Sequence, residues 1–314
     1  MTLQQLRAFC ELAERGLNFS RTASALNTTQ PAISRMIRSL EQELGTDLLV
    51  RRGKTMLGLS PQGEEAVARA RQVMLEISNI ARIGADKNSA DRGEMTIATT
   101  HTQASYGLVA AIRKFKALYP GVTLHMRNGA PAEIAQWVSM GRVDLGINAR
   151  PQKLPANIVA VEAYRIDRCI IAPAGHPILK LRKPSIKDIA RYPIIDYDHD
   201  AHTGALLSNL FVNAGVEPNI AVTGTDATAV MAYVEAGIGI AILQKQIFEG
   251  LSNRRIRAVD ASHLVPTSAA MLLLRKNAYL HGFIYRFIEL VSPQWPRSVL
   301  EKRLYASGDA TESH

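Results

Sequence analysis

A short run of polar side chains near the N-terminus has the chemistry needed to read DNA. Gln30, Ser34 and Arg35 offer an amide, a hydroxyl and a guanidinium group, which can bond to base edges in a major groove. Four arginines and no acidic residue lie between Arg15 and Leu40, which gives the segment a positive charge suited to phosphates. A surface helix with ordinary solvated charges is the alternative interpretation. The candidate DNA-contacting residues of this run are Thr29, Gln30, Pro31, Ser34, Arg35 and Arg38.

A second group of polar side chains offers a site for a small anion. The segment 99–103, Thr-Thr-His-Thr-Gln, lies where a predicted strand ends and a helix begins. Its hydroxyls, side-chain amide and free backbone N–H groups can therefore hold an anion or a carboxylate. Two simpler interpretations stay open, in which Thr102 only caps its helix and Asp226 is a plain N-cap. The candidate ligand-binding residues, which include polar side chains before two later helices, are Thr100, Thr102, Gln103, His202, Thr203 and Thr225.

The hydrophobic pattern predicts the elements that present the DNA-reading side chains. Apolar residues recur at spacings of four, three and four, which marks the buried stripe of one helix that has Pro31 in its first turn. Ser20 is the predicted N-cap of a shorter helix before it. Two short helices around a turn form a helix-turn-helix. The stripe consists of Ile33, Ile37, Leu40 and Leu44.

The segment that follows predicts a β-hairpin with a basic tip. Residues 47–59 form two short apolar runs around Arg51, Arg52, Gly53 and Lys54. A hairpin beside a DNA-reading helix is a wing, and its cations can hold adjacent phosphates. Arg51, Arg52 and Lys54 therefore complete the set of candidate DNA-binding residues.

A long helix opened by Ser60 and Pro61 carries an apolar seam. The seam residues alternate spacings of four and three over about two heptads, which is typical of two helices that pair. The predicted partner is a second copy of the chain, so a homodimer or homotetramer is expected; packing on its own domain is the alternative. The seam consists of Ala66, Ala70, Val73, Ile77 and Ile80.

The second half of the chain alternates strand-like and helix-like segments, which predicts a mostly parallel, doubly wound α/β architecture. A polar stretch at 84–93 marks the hinge into it, and a second α/β unit starts near residue 164. Ligands of such folds bind outside the carboxyl ends of the strands, here in the cleft between the two units. The predicted domains are a winged helix-turn-helix at 1–59, a linker helix and hinge at 60–92, subdomain I at 93–163 and 268–292, subdomain II at 164–267, and a C-terminal tail at 293–314.

Composition narrows the class of protein. The 37 basic and 28 acidic residues give a net charge of +9, which favours polyanionic partners. No secretion signal and no run of about 18 apolar residues occurs, so a cytoplasmic protein without a membrane partner is expected. No metal-ligand spacing, no Gly-rich phosphate loop and no set of nucleophile, base and acid is evident, so no metal, no cofactor and no catalytic residue is predicted.

Two other classes of protein fit the sequence less well than a DNA-binding protein with a ligand-binding second half. An α/β enzyme or solute-binding protein with an incidental helical domain needs an export signal or a catalytic constellation. An architectural DNA protein leaves the second half without a role. The two cysteines, Cys10 and Cys169, are expected to be buried as small hydrophobic side chains. A thiol-based peroxide sensor would need two nearby cysteines in the second half of the chain, which has only Cys169.

In this order, the elements closely resemble the LysR-type transcriptional regulators, over nearly the whole chain. The resemblance implies an N-terminal winged helix-turn-helix, a dimerising linker helix and an effector domain of two α/β subdomains similar to periplasmic binding proteins. It also implies double-stranded promoter DNA as a partner, with RNA polymerase as a further candidate. The residues that carry it are Phe19, Ala23, Leu26, the run Thr29 to Arg35, Ile37, Leu40, Glu41, Leu44, Gly45, Leu48, Leu49, Arg51, Leu59 and Gly63.

The segment TTHTQA and the segment TDATAVMAYVEAGIGIAIL look like the CysB-like subgroup, regulators of sulfur acquisition. In that subgroup the TTHTQ segment binds sulfate or another small effector, which implies this role for Thr100, Thr102 and Gln103. The chain departs from the subgroup at Ala149, Ile166 and His202, where Thr, Trp and Thr are frequent. The implied effector is therefore sulfate, adenosine phosphosulfate, an acetylserine or an organosulfur compound. A non-sulfur carboxylate is the alternative.

Overall fold

The computed structural model describes residues 1–52, 55–86, 91–149, 153–197, 202–249, 255–265 and 267–305. Within these ranges it does not describe the side chains of residues 52, 55, 56, 82–86, 197 and 202–207. The chain divides into two compact units, residues 1–88 and residues 89–314.

The first unit is a winged helix-turn-helix, as predicted. Thr2 and Gln5 form a capping box at the start of the first helix. The second helix is capped by Asn18, whose Oδ1 accepts from the Arg21 N–H at 2.9 Å, so the prediction of Ser20 as its N-cap was wrong. The elements are α1 (Leu3–Glu14), α2 (Phe19–Ala25), α3 (Gln30–Leu44), β1 (Leu49–Arg52), β2 (Thr55–Leu59) and α4 (Pro61–Asp86).

The inner face of α3 fixes the core of this unit. Ile33, Ile37 and Leu40 are fully buried, as the spacing predicted. Leu44 is 43% exposed, so its assignment to the buried stripe was wrong. The helix ends directly after it, because Gly45 adopts a left-handed φ of 67° that turns the chain away. The place next to Leu40 is taken instead by Glu41, which is 7% exposed.

Helix α4 uses its apolar residues in two ways. Val67 and Ala70 are buried in the core of the first unit. Val73 and Ile80 lie seven residues apart on the seam, and they are 41% and 68% exposed in the single chain. The C-terminal half of the seam thus keeps an apolar surface that the described residues of its own unit do not cover.

Subdomain I of the second unit is built on a five-stranded sheet of order β4-β3-β5-β12-β6. The first three strands are parallel and in register, with Thr99 beside both Asn128 and Ile147, so their carboxyl ends meet at one edge. Strand β12 is antiparallel to both of its neighbours, β5 and β6, so four strands of this sheet run in one direction and β12 runs against them, which agrees with the mostly parallel sheet that was predicted. Its elements are β3 (Arg92–Thr99), a π-helical turn (Gln103–Gly107), α5 (Val109–Leu118), β4 (Gly121–Asn128), α6 (Pro131–Ser139), β5 (Leu145–Ala149), β6 (Ile158–Ile166), β12 (Ser268–Arg275) and α11 (Gly282–Val291).

Subdomain II contains an antiparallel sheet β10-β7-β11 and a parallel pair β8-β9. The chain enters it at Asp167, directly after β6, and returns before Ser268. Two hydrogen bonds join these crossings, Thr267 to Asp167 at 3.1 Å and Arg168 to Ser268 at 3.1 Å. Its elements are β7 (Arg168–Pro173), a 3-10 turn (Pro177–Lys180), α7 (Ile186–Ala190), β8 (Ile194–Tyr197), α8 (His202–Ala214), β9 (Ile220–Gly224), α9 (Ala227–Glu235), β10 (Ala241–Gln244), α10 (Lys245–Glu249) and β11 (Ile256–Asp260).

The C-terminal segment contains a further helix, α12 (Arg297–Leu304), whose Leu300 and Leu304 are buried in the core of subdomain I. Before it, the side chains of Gln294 and Trp295 donate to backbone carbonyls of β6. The Trp295 indole N–H reaches the Glu162 oxygen at 2.6 Å. The segment expected as a tail is therefore part of the folded unit over its described residues.

Candidate functional site

The predicted DNA-reading residues lie together at the N-terminal half of α3. Gln30, Arg35 and Arg38 are exposed, and Ser34 is half-buried. Thr29 precedes the helix and makes no side-chain capping bond to it, so its hydroxyl is available to a phosphate. An amide, two hydroxyls and two guanidinium groups therefore share one exposed surface.

A buried carboxylate ties this helix to the wing. Glu41 Oε1 accepts from the Leu48 and Leu49 amides at 3.0 and 3.3 Å, while Oε2 accepts from Arg51 Nη2 at 2.7 Å. Arg51, predicted as a DNA contact, thus holds an ion pair within its own unit, with its side chain 36% exposed. Its role at DNA stays a prediction. Sequence analysis missed the role of Glu41, which lies seven residues from the nearer amide.

The tip of the wing lies outside the described residues. Arg52 ends β1, but its side chain is not described, and Lys54 falls outside the described ranges. Their contact with phosphates stays a prediction.

The candidate anion site lies at the carboxyl end of β3. Thr99 is buried there, and its hydroxyl donates to the Ile147 carbonyl of β5 at 2.6 Å. Thr100 and Thr102 are half-buried. Thr102 has helical backbone angles, φ −60° and ψ −44°, and its side chain makes no capping bond. The simpler interpretation of Thr102 as a mere cap was therefore wrong, and its hydroxyl is available to a ligand.

Gln103 differs from its neighbours because its side chain points into the protein. It is 3% exposed. Its Oε1 accepts a hydrogen bond from the Tyr164 hydroxyl, and its Nε2 donates to Gln244 Oε1 at 3.4 Å. Burial raises the pKa of Tyr164, which keeps the phenol protonated as a donor. Sequence analysis did not find Tyr164 or Gln244 as partners, since both lie in ordinary strand patterns far along the chain.

The other candidate ligand-binding residues belong to subdomain II. Thr225 is exposed. Asp226 caps α9, its Oδ1 accepting from the Thr228 and Ala229 amides at 2.7 and 3.0 Å, which agrees with the plain N-cap interpretation. The Ala229 bond, together with the Thr228 bond and the nearby His101, holds the pKa of Asp226 below its usual range. The side chains of His202 and Thr203, which begin α8, lie outside the described residues, so their approach to Thr102 stays a prediction.

Two positions where the chain departs from the CysB-like pattern have different surroundings. Ile166, at the end of β6, is buried in the core of subdomain I. Ala149, at the end of β5, is half-buried beside the carboxyl ends of the parallel strands. Ala149 therefore lies at the same edge of the sheet as the candidate anion site, whereas Ile166 contributes to packing.

Both cysteines behave as hydrophobic side chains. Burial raises the pKa of Cys169 to about 12 and that of Cys10 to about 11, so both stay as neutral thiols at ordinary pH. They belong to different units of the chain.

The described residues contain neither a metal-binding cluster nor a membrane-spanning helix. No group of three or more histidine, cysteine, aspartate or glutamate side chains there is placed to hold a metal ion. Among the described helices, none is long and apolar enough to span a membrane.

Comparison with known proteins agrees with this geometry. Residues 3–64 match the model of the bacterial regulatory helix-turn-helix protein of the lysR family, and residues 88–296 match the LysR substrate binding domain. The chain is 34% identical to the transcriptional regulator SsuR of Burkholderia cenocepacia, covering 93% of this chain and 95% of SsuR. It is 33% identical to CysB of the same organism, covering 99% and 100% of the two chains.

A solved structure supports the effector fold. The cofactor-binding domain of the Cbl transcriptional regulator superposes with a TM-score of 0.62 at 27% identity, covering 69% of this chain and 95% of that domain. Both halves of the chain thus match one type of protein, in the same order. The chain belongs to the LysR family of bacterial helix-turn-helix transcription regulators.

Proposed function

We propose that this LysR-type regulator controls genes of sulfur metabolism, in the sulfate, sulfonate or cysteine branches, in response to a small sulfur-containing or acetylserine-type anion. The observation that carries the proposal is its similarity, over nearly the full length, to the regulators SsuR and CysB. The half-buried hydroxyls of Thr100 and Thr102 beside the end of β3 support it, because they offer neutral donors to an anion.

In this proposal the protein is cytoplasmic and binds promoter DNA as a homodimer or homotetramer. RNA polymerase is a further proposed partner. The amide, hydroxyls and guanidinium groups of α3 support promoter reading. The exposed Val73 and Ile80 on α4 support pairing with a second copy, since apolar residues repeated at a seven-residue spacing on one face are typical of helices that pair.

The effector in this proposal binds at Thr100 and Thr102. Two features favour an anion there: the Thr102 hydroxyl, which makes no capping bond, and the partial positive charge at the start of a helix. Ligand binding moves the DNA-binding units only if the ligand binds two arrangements of the protein with different affinity.

A thermal-shift screen tests the proposed effector class. Sulfate, thiosulfate, adenosine phosphosulfate and O-acetylserine are compared with succinate as a non-sulfur carboxylate, because a ligand of the folded state raises the thermal midpoint by mass action. A rise with one or more of the sulfur compounds or O-acetylserine is expected. A rise with succinate alone would favour control of another pathway.

Helix α3 is expected to determine the sequence specificity of DNA binding. The wing is expected to contribute affinity for any duplex. Gln30→Ala or Arg35→Ala should each cost about 1–3 kcal/mol on an operator selected from random duplexes, and should relax its sequence preference. Lys54→Ala should weaken binding to every duplex and reduce its salt dependence. Fluorescence anisotropy on selected and random DNA measures both, with Gln42→Ala as the control on the exposed end of α3. Equal losses on both duplexes for all three variants would contradict this division.

Removing one hydroxyl is expected to weaken effector binding. Thr102→Val nearly preserves the shape of the side chain, so the loss of about 1–3 kcal/mol in affinity comes from an unpaired group on the ligand. DNA binding without effector should not change. Calorimetric titration with the compound found in the screen gives the affinity, and Thr123→Val, on the exposed face of β4, is the matched control. An unchanged affinity for Thr102→Val would place the effector elsewhere.

A further inference from the structure

The side-chain amide of Gln103 is bonded at both ends to distant parts of the effector unit. The Tyr164 hydroxyl donates to its Oε1 from β6 of subdomain I, and its Nε2 donates to Gln244 at the end of β10 in subdomain II. With 3% of the residue exposed, these two bonds use the amide inside the protein rather than at the surface. A buried amide satisfied in this way is held in one orientation.

The backbone around Gln103 is shaped to admit these bonds. The Leu108 N–H donates to the Gln103 carbonyl at 2.9 Å, an i to i+5 bond that makes this turn π-helical. Gly107 closes the turn. A Cβ there would clash with Gln103 Oε1 and would lie 2.6 Å from the Tyr164 hydroxyl oxygen. Glycine at this position therefore leaves the space that the amide and the phenol share.

The same turn packs against subdomain II. Tyr106 contacts the hydrophobic cluster that contains Val230 and Met231 of α9. Gln244 is followed by Lys245, whose N–H donates to the carbonyl of Asp167 at 2.8 Å. Asp167 is the residue at which the chain crosses between the subdomains. Gln103 therefore links the end of the Thr100 to Thr102 segment to Gln244, whose neighbour Lys245 is bonded to Asp167 at the crossing between the subdomains.

We propose that Gln103 is a positioning residue, held by Tyr164 and Gln244, that couples the Thr100 to Thr102 segment to subdomain II. The inference rests on the proposed function for the location of the effector, and it adds this coupling to the role that the CysB-like pattern implies for Gln103. Removing either hydrogen bond of Gln103 should make both the turn Gln103–Gly107 and the end of β10 more mobile.

Hydrogen exchange of the full-length protein without effector tests the coupling. Tyr164→Phe keeps the ring and removes the hydroxyl, so amide exchange should become about fivefold faster or more in both 103–108 and 241–249. The matched control is Tyr305→Phe, which removes a bond from a tyrosine hydroxyl to the Ala278 carbonyl at 3.1 Å within subdomain I. Faster exchange confined to 158–166, or no change in 241–249, would overturn the proposal.

Two variants of Gln244 distinguish its hydrogen bond to Gln103 from the packing of its side chain. Gln244→Glu keeps an acceptor for the Gln103 N–H, whereas Gln244→Leu removes it. Exchange in 103–108 should stay near that of the wild type for the first and rise for the second. Equal exchange in the two variants would overturn the proposal. Because no effector is used, failure of the sulfur compounds to bind would affect only the proposed function.

Discussion

Replacing Glu41 with alanine is expected to lower the free energy of unfolding of the DNA-binding unit by about 3 kcal/mol, since each buried group left without a partner costs about 1–3 kcal/mol. The carboxylate accepts from two buried amides, those of Leu48 and Leu49, and both lose this acceptor in the variant. Arg51 loses its partner as well, but its side chain is 36% exposed and can be hydrated. DNA affinity should fall with stability, because the wing loses its attachment to α3.

Urea unfolding of the full chain measures this effect. Glu65→Ala is the matched control, because Glu65 forms an exposed pair with Arg69 at 3.8 Å on α4 and its loss should cost little. The free energy of unfolding of Glu41→Gln should lie between those of Glu41→Ala and Glu65→Ala, since an amide oxygen still accepts but carries no charge. Equal unfolding free energies for the Glu41→Ala and Glu65→Ala variants would show that the wing does not depend on this carboxylate.

Placing a charge on the exposed part of the linker helix is expected to separate the subunits. Ile80 is 68% exposed in the single chain, so Ile80→Glu should leave the fold of each copy intact. In a paired helix the new carboxylate must be desolvated in both copies, which costs several kcal/mol and raises the dissociation constant of the dimer by about a hundredfold or more. Binding to a two-half-site operator should weaken accordingly.

Sedimentation velocity at low micromolar concentration measures the oligomer. Ser78→Glu adds the same charge to an exposed position two residues away, on another face of α4, and should leave the assembly unchanged. A stable dimer for Ile80→Glu would mean that this half of the seam does not meet a second copy.

The hydrophobic pattern predicted the helix-turn-helix correctly except at Leu44, which is exposed rather than buried. The spacing of Ile33, Ile37 and Leu40 predicts one buried stripe, because side chains three and four residues apart project from the same face of a helix. It cannot show that the helix ends at Gly45, nor that two amides beyond the helix require an acceptor. The amides of Leu48 and Leu49 donate to Glu41, so this charged residue is buried beside Leu40, whereas Leu44 is exposed at the end of the helix.

The effector site was predictable only in part. Thr100 and Thr102 follow a strand and precede a helix, and that order alone places their hydroxyls at the edge of the sheet. The orientation of Gln103 depends on a π-helical turn and on partners 61 and 141 residues away, Tyr164 and Gln244. Periodicity carries no information at such separations, so the inward direction of this side chain could come only from the structure.

The outer edge of β6 is where this protein would otherwise be open to aggregation. A strand with free carbonyls at the margin of a sheet invites a strand from another molecule, which is a common start of aggregation. Gln294 donates to the carbonyls of Glu162 and Ala163, and Trp295 donates to that of Glu162, so this stretch of the edge is already occupied. A chain shortened before Gln294 is therefore expected to leave this stretch of the edge open to another strand, and to lose the buried Leu300 and Leu304 as well.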